Sequence, residues 1–219
     1  MINIAENVHH LLQELPPGVQ LVAAAKTRTP AEITQALQAG IKILGENYVQ
    51  EAEQAYREIG KAAQWHCIGY LQKNKVRKAV EIFDMIETVD SLELAQEIDK
   101  RCLPLGKIMP ILLEVNSGRE AQKAGVMPED VIALAQSVST LANVRLMGLM
   151  TMGPMTGNPE DARPYFVTTR QVFAQVKNLN IPNVTMQYLS MGMTNSYRIA
   201  LAEGANVIRL GTLLFGERQ

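Results

Sequence analysis

The feature that most constrains this chain is an alternation. From residue 19 to residue 210, short apolar runs bounded by turn residues take turns with longer segments whose apolar positions recur at helical spacing. The first run, VQLVAAA (Val19 to Ala25), is too short for a buried helix and reads as a strand covered on both faces. Thr29-Pro30-Ala31-Glu32 then marks a helix start: Thr29 can cap, Pro30 suits the first helical position and Glu32 can close a capping box. Gly40 ends that helix, and the pattern repeats. Further strands are expected at 41–44, 64–68, 84–89, 108–115, 144–150, 184–189 and 206–210, with helices at 47–59, 71–81, 91–102, 128–141, 160–178 and 194–203. Eight strands separated by helices fit a closed (β/α)8 barrel or a wide doubly wound sheet. The count favours the barrel. No GxGxxG follows the first strand and no GxxxxGK[ST] occurs, which also weighs against a nucleotide-binding open sheet.

At 219 residues the chain is close to the lower limit of about 200 for such barrels, and it ends before a full eighth outer helix. A segment at about 2–15, with Ile4, Val8, Leu11, Leu12 and Leu15 on one face and Pro16-Pro17-Gly18 as its stop, can cover that gap. The expected fold class is therefore α/β: a single TIM-type barrel over residues 1–219 with an extra N-terminal helix.

Composition excludes several functions. A net charge of -1, with 20% charged residues of mixed sign, leaves no basic stripe for nucleic acid. No apolar run approaches the roughly 18 residues of a membrane span, and the N-terminus has acids where a secretory leader needs a positive start. A cytoplasmic protein is expected. Cys67 and Cys102 are too few for a disulfide framework and lack metal-ligand spacing, so both read as reduced core thiols, and no acidic cluster suggests a metal.

In a barrel the residues just past the strands converge on one face. Lys26 is such a residue. Five uncharged residues precede it, and desolvation there would favour the neutral, nucleophilic amine. Taken locally, an ordinary solvated lysine beside Arg28 is the better reading. The last two strands shift the balance. Strand seven runs into Ser190-Met191-Gly192-Met193-Thr194 and strand eight into Arg209-Leu210-Gly211-Thr212, small donor-rich loops at the place where barrels commonly bind phosphate. Arg209 sits inside an otherwise apolar strand, a costly place unless a ligand or partner meets it; a surface ion pair is the competing explanation. Glu46, Asn47, His66 and Asn116 can also reach the mouth, although His66 alone reads as a satisfied core histidine.

Seven segments, VAAAKTRTP around Lys26, GENYVQE (45–51), WHCIGYLQKNK (65–75), NSGREAQKAG (116–125), GLMTMGP (148–154), SMGMTNS (190–196) and IRLGTLLFG (208–216), resemble the pyridoxal phosphate homeostasis family across nearly the whole chain. The resemblance implies a monomeric barrel similar to the N-terminal domain of alanine racemase (the fold-type III class of pyridoxal phosphate proteins), with pyridoxal 5'-phosphate held as a Schiff base on Lys26. It further implies that Ser190, Gly192, Met193, Gly211 and Thr212 hold the phosphate, that Arg209 faces the pyridine nitrogen and that Asn47 lies beside the ring. Two departures from the family pattern stand at the pocket mouth: Tyr70, where a small residue or His is usual, and Thr194-Asn195-Ser196 in place of Ser followed by Asp.

An arginine at the pyridine nitrogen donates hydrogen bonds but has no easily transferred proton, which leaves the ring a weak electron sink. That argues against efficient turnover, and the resemblance implies a carrier and regulator of vitamin B6 and of amino and keto acid pools, whose partners are the cofactor, amino acids or apoenzymes that need the cofactor. No residue is assigned a catalytic role. An amino-acid racemase would need a tyrosine such as Tyr48 or Tyr70 on the far face of the ring, and a Schiff-base aldolase would carry no coloured cofactor.

Overall fold

A computed structural model of the protein describes residues 3–154 and 157–217, so Ile2, at the start of the expected first helix, lies outside the described residues. Its strands are β1 (Gln20–Ala24), β2 (Ile43–Glu46), β3 (Gln64–Cys67), β4 (Met85–Val89), β5 (Met109–Val115), β6 (Val144–Thr151), β7 (Val184–Ser190) and β8 (Val207–Leu210). They pair in parallel in chain order, and β1 pairs with β8 to close the barrel, Val22 opposite Arg209.

Side-chain alternation divides the core in two. Outward positions such as Leu21, Ala23, Leu44, Trp65, Ile86, Leu113 and Ile208 pack beneath the helices. Inward positions form two smaller groups, Val22, Ile43, Ile68 and Val207 on one side and Met85, Leu112 and Met150 on the other. Each fully buried side chain of this size adds about 1.5–3 kcal/mol relative to exposure.

The outer helices are α1 (Ile4–Glu14), α2 (Pro30–Gln38), α3 (Val49–Ile59), α4 (Val76–Ile82), α5 (Leu92–Cys102), α6 (Val131–Val138), α7 (Arg163–Asn178), α8 (Tyr197–Ala202) and α9 (Thr212–Phe215). The capping box of α2 forms as expected, Thr29 Oγ1 accepting from the Glu32 N–H and Glu32 accepting from the Thr29 N–H. Helix α1 does cover the gap after β8: Asn7 Nδ2 donates to the Leu214 carbonyl of α9, and Glu14 Oε1 accepts from Tyr197 Oη and Arg198 Nε of α8.

Several boundaries differ from the sequence reading. Strand β2 begins two residues late, at Ile43. The expected helices at 71–81, 128–141 and 160–178 each start with a 3-10 turn, at Lys73–Lys75, Pro128–Asp130 and Pro159–Ala162, two of them opened by proline. The helix expected at 194–203 forms only from Tyr197, because the Ser196 and Tyr197 N–H groups both turn back onto the Met193 carbonyl at 2.8 Å and hold 194–196 as a loop. The short α9 has no counterpart in the expected elements.

Candidate functional site

Lys26 follows β1 on the inward side, the side of Val22 and Ala24. The backbone turns sharply just after it: Thr27 has φ 63°, a conformation L residues rarely adopt, and the Arg28 N–H returns to the Ala25 carbonyl at 2.9 Å. Arg28 fixes this loop to the other end of the chain, donating through Nη2 to the Gly216 carbonyl at 2.5 Å and lying over the Phe215 ring.

A cavity of about 460 Å3 opens here, within the range of small-molecule sites. Lys26 and Arg209 line it together with Met193, Thr194, Asn195 and Ser196 of the loop after β7, and Gly211 and Thr212 of the loop after β8. Gly211 is closely packed: a Cβ there would stand 3.3 Å from the Ala24 carbonyl oxygen, a contact that a small shift of the strand end would have to relieve. Gly192 has φ +93°, and a Cβ on it would come within 2.6 Å of Ala200 Cβ and 2.8 Å of Tyr197 Cα, so the β7 loop can reach the mouth only with glycine at this position. The Gly192 carbonyl accepts from the Arg209 N–H at 3.1 Å, joining the two loops.

Arg209 points into the barrel, and its setting is the part of the site that strand patterning alone missed. Its Nη1 donates to Ser190 Oγ at 2.6 Å and its Nη2 to the Thr151 carbonyl at 2.9 Å. Ser190 Oγ in turn donates to Glu87 Oε2 at 2.6 Å, while Glu87 Oε1 accepts from His66 Nδ1 at 2.7 Å. Glu87 Oε2 is 3.9 Å from Arg209 Nη1, and all four residues are buried. Burial by itself would push Glu87 up, but His66, Arg209 and Ser190 outweigh it and hold the carboxyl below its ordinary value. Burial also lowers Arg209 from its ordinary value, opposed by Glu87 and Glu114. Glu114, on the inward face of β5, is pushed up by burial to about 7 against the pull of Arg209.

The structure therefore gathers Lys26, Met193, Arg209, Gly211 and Thr212 around one cavity. Asn47, Ser190 and Gly192 do not line it. Asn47 is half-buried after β2, with its backbone packed against Gly69. Ser190, expected among the phosphate-holding residues, has its hydroxyl in the Arg209–Glu87 network, as the last inward residue of β7. The surface-pair reading of Arg209 is set aside, since the side chain is buried. His66 is a satisfied core histidine, its partner being Glu87. Glu46 and Asn116 line two other crevices. Tyr48 and Tyr70 are about 61% and 62% exposed and do not line the cavity. Both cysteines are buried free thiols, Cys67 raised to about 12 and Cys102 to about 11 by burial. Among the described residues no helix is long and apolar enough to cross a membrane, and no three His, Cys, Asp or Glu side chains are grouped to hold a metal.

A charged signal for Glu87 and Glu114 was present in the sequence, since each is the one charged residue within a strand that otherwise reads as buried on both faces. It is the same pattern that marks Arg209.

A closed eight-stranded barrel with an N-terminal helix, a lysine after the first strand and two glycine loops after the last two defines the class of the alanine racemase N-terminal domain, whose family model matches residues 1–219. An alanine racemase of Clostridium difficile 630 has this fold, with a TM-score of 0.81 at 16% identity over 99% of this chain and 57% of that one. Within the class, this chain belongs to the pyridoxal phosphate homeostasis protein family. It is 40% identical to the pyridoxal phosphate homeostasis protein of Aquifex aeolicus over 201 residues, 91% of this chain and 87% of that protein. It is 35% identical to the corresponding protein of Pseudomonas aeruginosa, covering 100% and 97%. PipY of Synechococcus elongatus PCC7942, solved with PLP bound, superposes with a TM-score of 0.89 at 38% identity, covering 97% of this chain and 100% of that one.

Proposed function

We propose that this chain binds pyridoxal 5'-phosphate in the cavity beside Lys26 and serves pyridoxal phosphate homeostasis and the balance of amino and keto acids, without efficient turnover of its own. The observation that carries this reading is the meeting of a lysine amine, two donor-rich loops and a buried arginine around one space of cofactor size. The fit is chemical as well as spatial. The Thr194, Ser196 and Thr212 hydroxyls and the Asn195 amide offer neutral donors to a phosphate, and the Gly211 approach leaves no side chain in the way. When bound, the cofactor supplies an aldehyde carbon that a lysine amine can capture reversibly as a Schiff base.

The chain's own residues suit retention more than catalysis. Lys26 provides the tether, and Met193 to Ser196 with Gly211 and Thr212 bind the phosphate. Ser190 and Gly192 support the arginine and the loop from behind, and Asn47 flanks the mouth. Arg209, held as a cation by Glu87, presents N–H donors and no labile proton to the ring nitrogen. Tyr48 and Tyr70, the candidates for a second base, face solvent. The working form is a monomer in the cytoplasm.

Titration with pyridoxal 5'-phosphate, followed by visible absorbance, tests this reading. Wild type should turn yellow at one equivalent and Lys26→Ala should not, while Thr212→Val should weaken binding about tenfold through one lost phosphate hydrogen bond. Retained yellow colour in Lys26→Ala would defeat it. Exchange of the α-proton of alanine with deuterated solvent should stay at the level of free cofactor; rapid exchange would favour a racemase instead.

A further inference from the structure

Behind the Lys26 loop, on the outer face of the sheet, lies a separate crevice of about 300 Å3 whose lining includes Thr27, Thr29, Glu46, Glu51 and Gln54. Gly45 pairs with Ala24 on the inward side, so Glu46, the next residue, points outward beneath α2 and α3. Glu46 is 2% exposed, and its Oε2 has no hydrogen-bond partner; no other buried side-chain nitrogen or oxygen among the described residues is left in that state. The carboxyl takes the Asn47 N–H, while Glu51 bears on it from α3 and uses its own Oε2 to accept from the Thr27 N–H at 3.3 Å. A buried, unpartnered carboxylate oxygen calls for a ligand.

We propose that this crevice binds a small hard monovalent cation, sodium or potassium, between the carboxylates of Glu46 and Glu51. The groups that can ligate are oxygens, from Glu46, Glu51, Thr27, Thr29 and Gln54, with no His or Cys in the lining, which suits alkali and not softer metals; Arg28 also lines the crevice, its charge taken up by Glu32. Charge selects the valence. Glu46 feels the charge of Lys26, and Arg28 and Glu32 neutralise one another at 3.3 Å, while Glu51 accepts from the neutral Thr27 N–H. One negative charge is left over, which a single positive charge balances. Without the cation a proton serves the same oxygen: burial first, then Glu51, pushes Glu46 up to about 8, against the Asn47 N–H and Lys26. Cation binding releases that proton to water: the Glu46 acid, the free cation and a water molecule give the cation-bound carboxylate and a hydronium ion, so binding strengthens as pH rises through that value. The Thr27 hydrogen bond to Glu51 connects the site to the Lys26 loop.

The test is thermal unfolding of the full chain in sodium, potassium, choline and magnesium chloride at equal ionic strength, at pH 6.5 and 8.5. For a dissociation constant of about 30 mM, about 150 mM alkali salt raises Tm at pH 8.5 by roughly 2–4 °C over choline. The rise should shrink at pH 6.5, vanish in Glu46→Gln and diminish in Glu51→Gln. If Glu46→Gln does not fold, Glu51→Gln decides with the same expectation. Equal Tm in sodium, potassium and choline, a rise that persists in folded Glu46→Gln or is undiminished in Glu51→Gln, or a rise with magnesium alone would overturn the proposal.

Discussion

Replacing Glu87 by Gln should be among the costliest conservative changes in this protein. The carboxylate lies at 0% exposure between His66 at 2.7 Å and Ser190 at 2.6 Å, with the Arg209 guanidinium at 3.9 Å. An amide keeps the volume and one acceptor oxygen, but its NH2 confronts a donor, and Arg209 loses the stronger of its two buried carboxyl partners, keeping only Glu114. Breaking a buried pair in this way costs about 3–5 kcal/mol, against roughly 0–1 kcal/mol for an exposed one. In a chain of this size that is a Tm drop of roughly 6–20 °C. Urea unfolding of wild type, Glu87→Gln, Arg209→Met and the double variant measures it. The double variant should lose less than the sum of the singles by more than about 1 kcal/mol, because removing the arginine removes the charge that has lost its partner. A loss below about 1 kcal/mol for Glu87→Gln, or strict additivity, would mean that Glu87 is not the counter-ion of Arg209.

Gly192→Ala should cost about 1–3 kcal/mol for the φ of +93°, with the clash against Tyr197 adding to it, and should weaken cofactor binding. Gly157→Ala, where an added Cβ meets nothing within 4 Å, should change stability by less than about 0.5 kcal/mol. Glu46 and Glu114 have folded pKa values raised from 4.5 to about 8 and about 7. Between 4.5 and those values the native state binds more protons than the unfolded chain, so stability in choline chloride should fall as pH rises from 5 to 8, and Glu46→Gln should flatten the slope. Glu87 works in the opposite sense: its lowered pKa gives stability that is present above 4.5 and is lost as pH falls further. A flat profile from pH 5 to 8 in wild type would contradict the first assignment.

The barrel was legible in the sequence because strands buried on both faces are continuous apolar runs, and capping signals such as Thr29 to Glu32 mark the helix starts. Boundaries shifted where local bonding competes with periodicity, as at Met193 to Ser196. The cavity was legible through Lys26, Arg209 and the Gly211 loop, each at a strand end. The network around Ser190 is not legible in the sequence, because its neighbours there are loop residues, whereas its neighbours in space, Arg209 and Glu87, are 19 and 103 positions away. Glu87 carries the same signal as Arg209, a charge within a strand that is buried on both faces. The Glu46 crevice had no such signal, since its burial depends on how α2 and α3 settle over β2.

Lys26 is the residue proposed to capture the cofactor. Borohydride reduction of the protein loaded with pyridoxal 5'-phosphate, followed by peptide mass analysis, tests this most directly. One phosphopyridoxyl group on the peptide containing Lys26 is expected, with bleaching of the visible band; label on Lys42, Lys73 or Lys75 in place of Lys26 would contradict it.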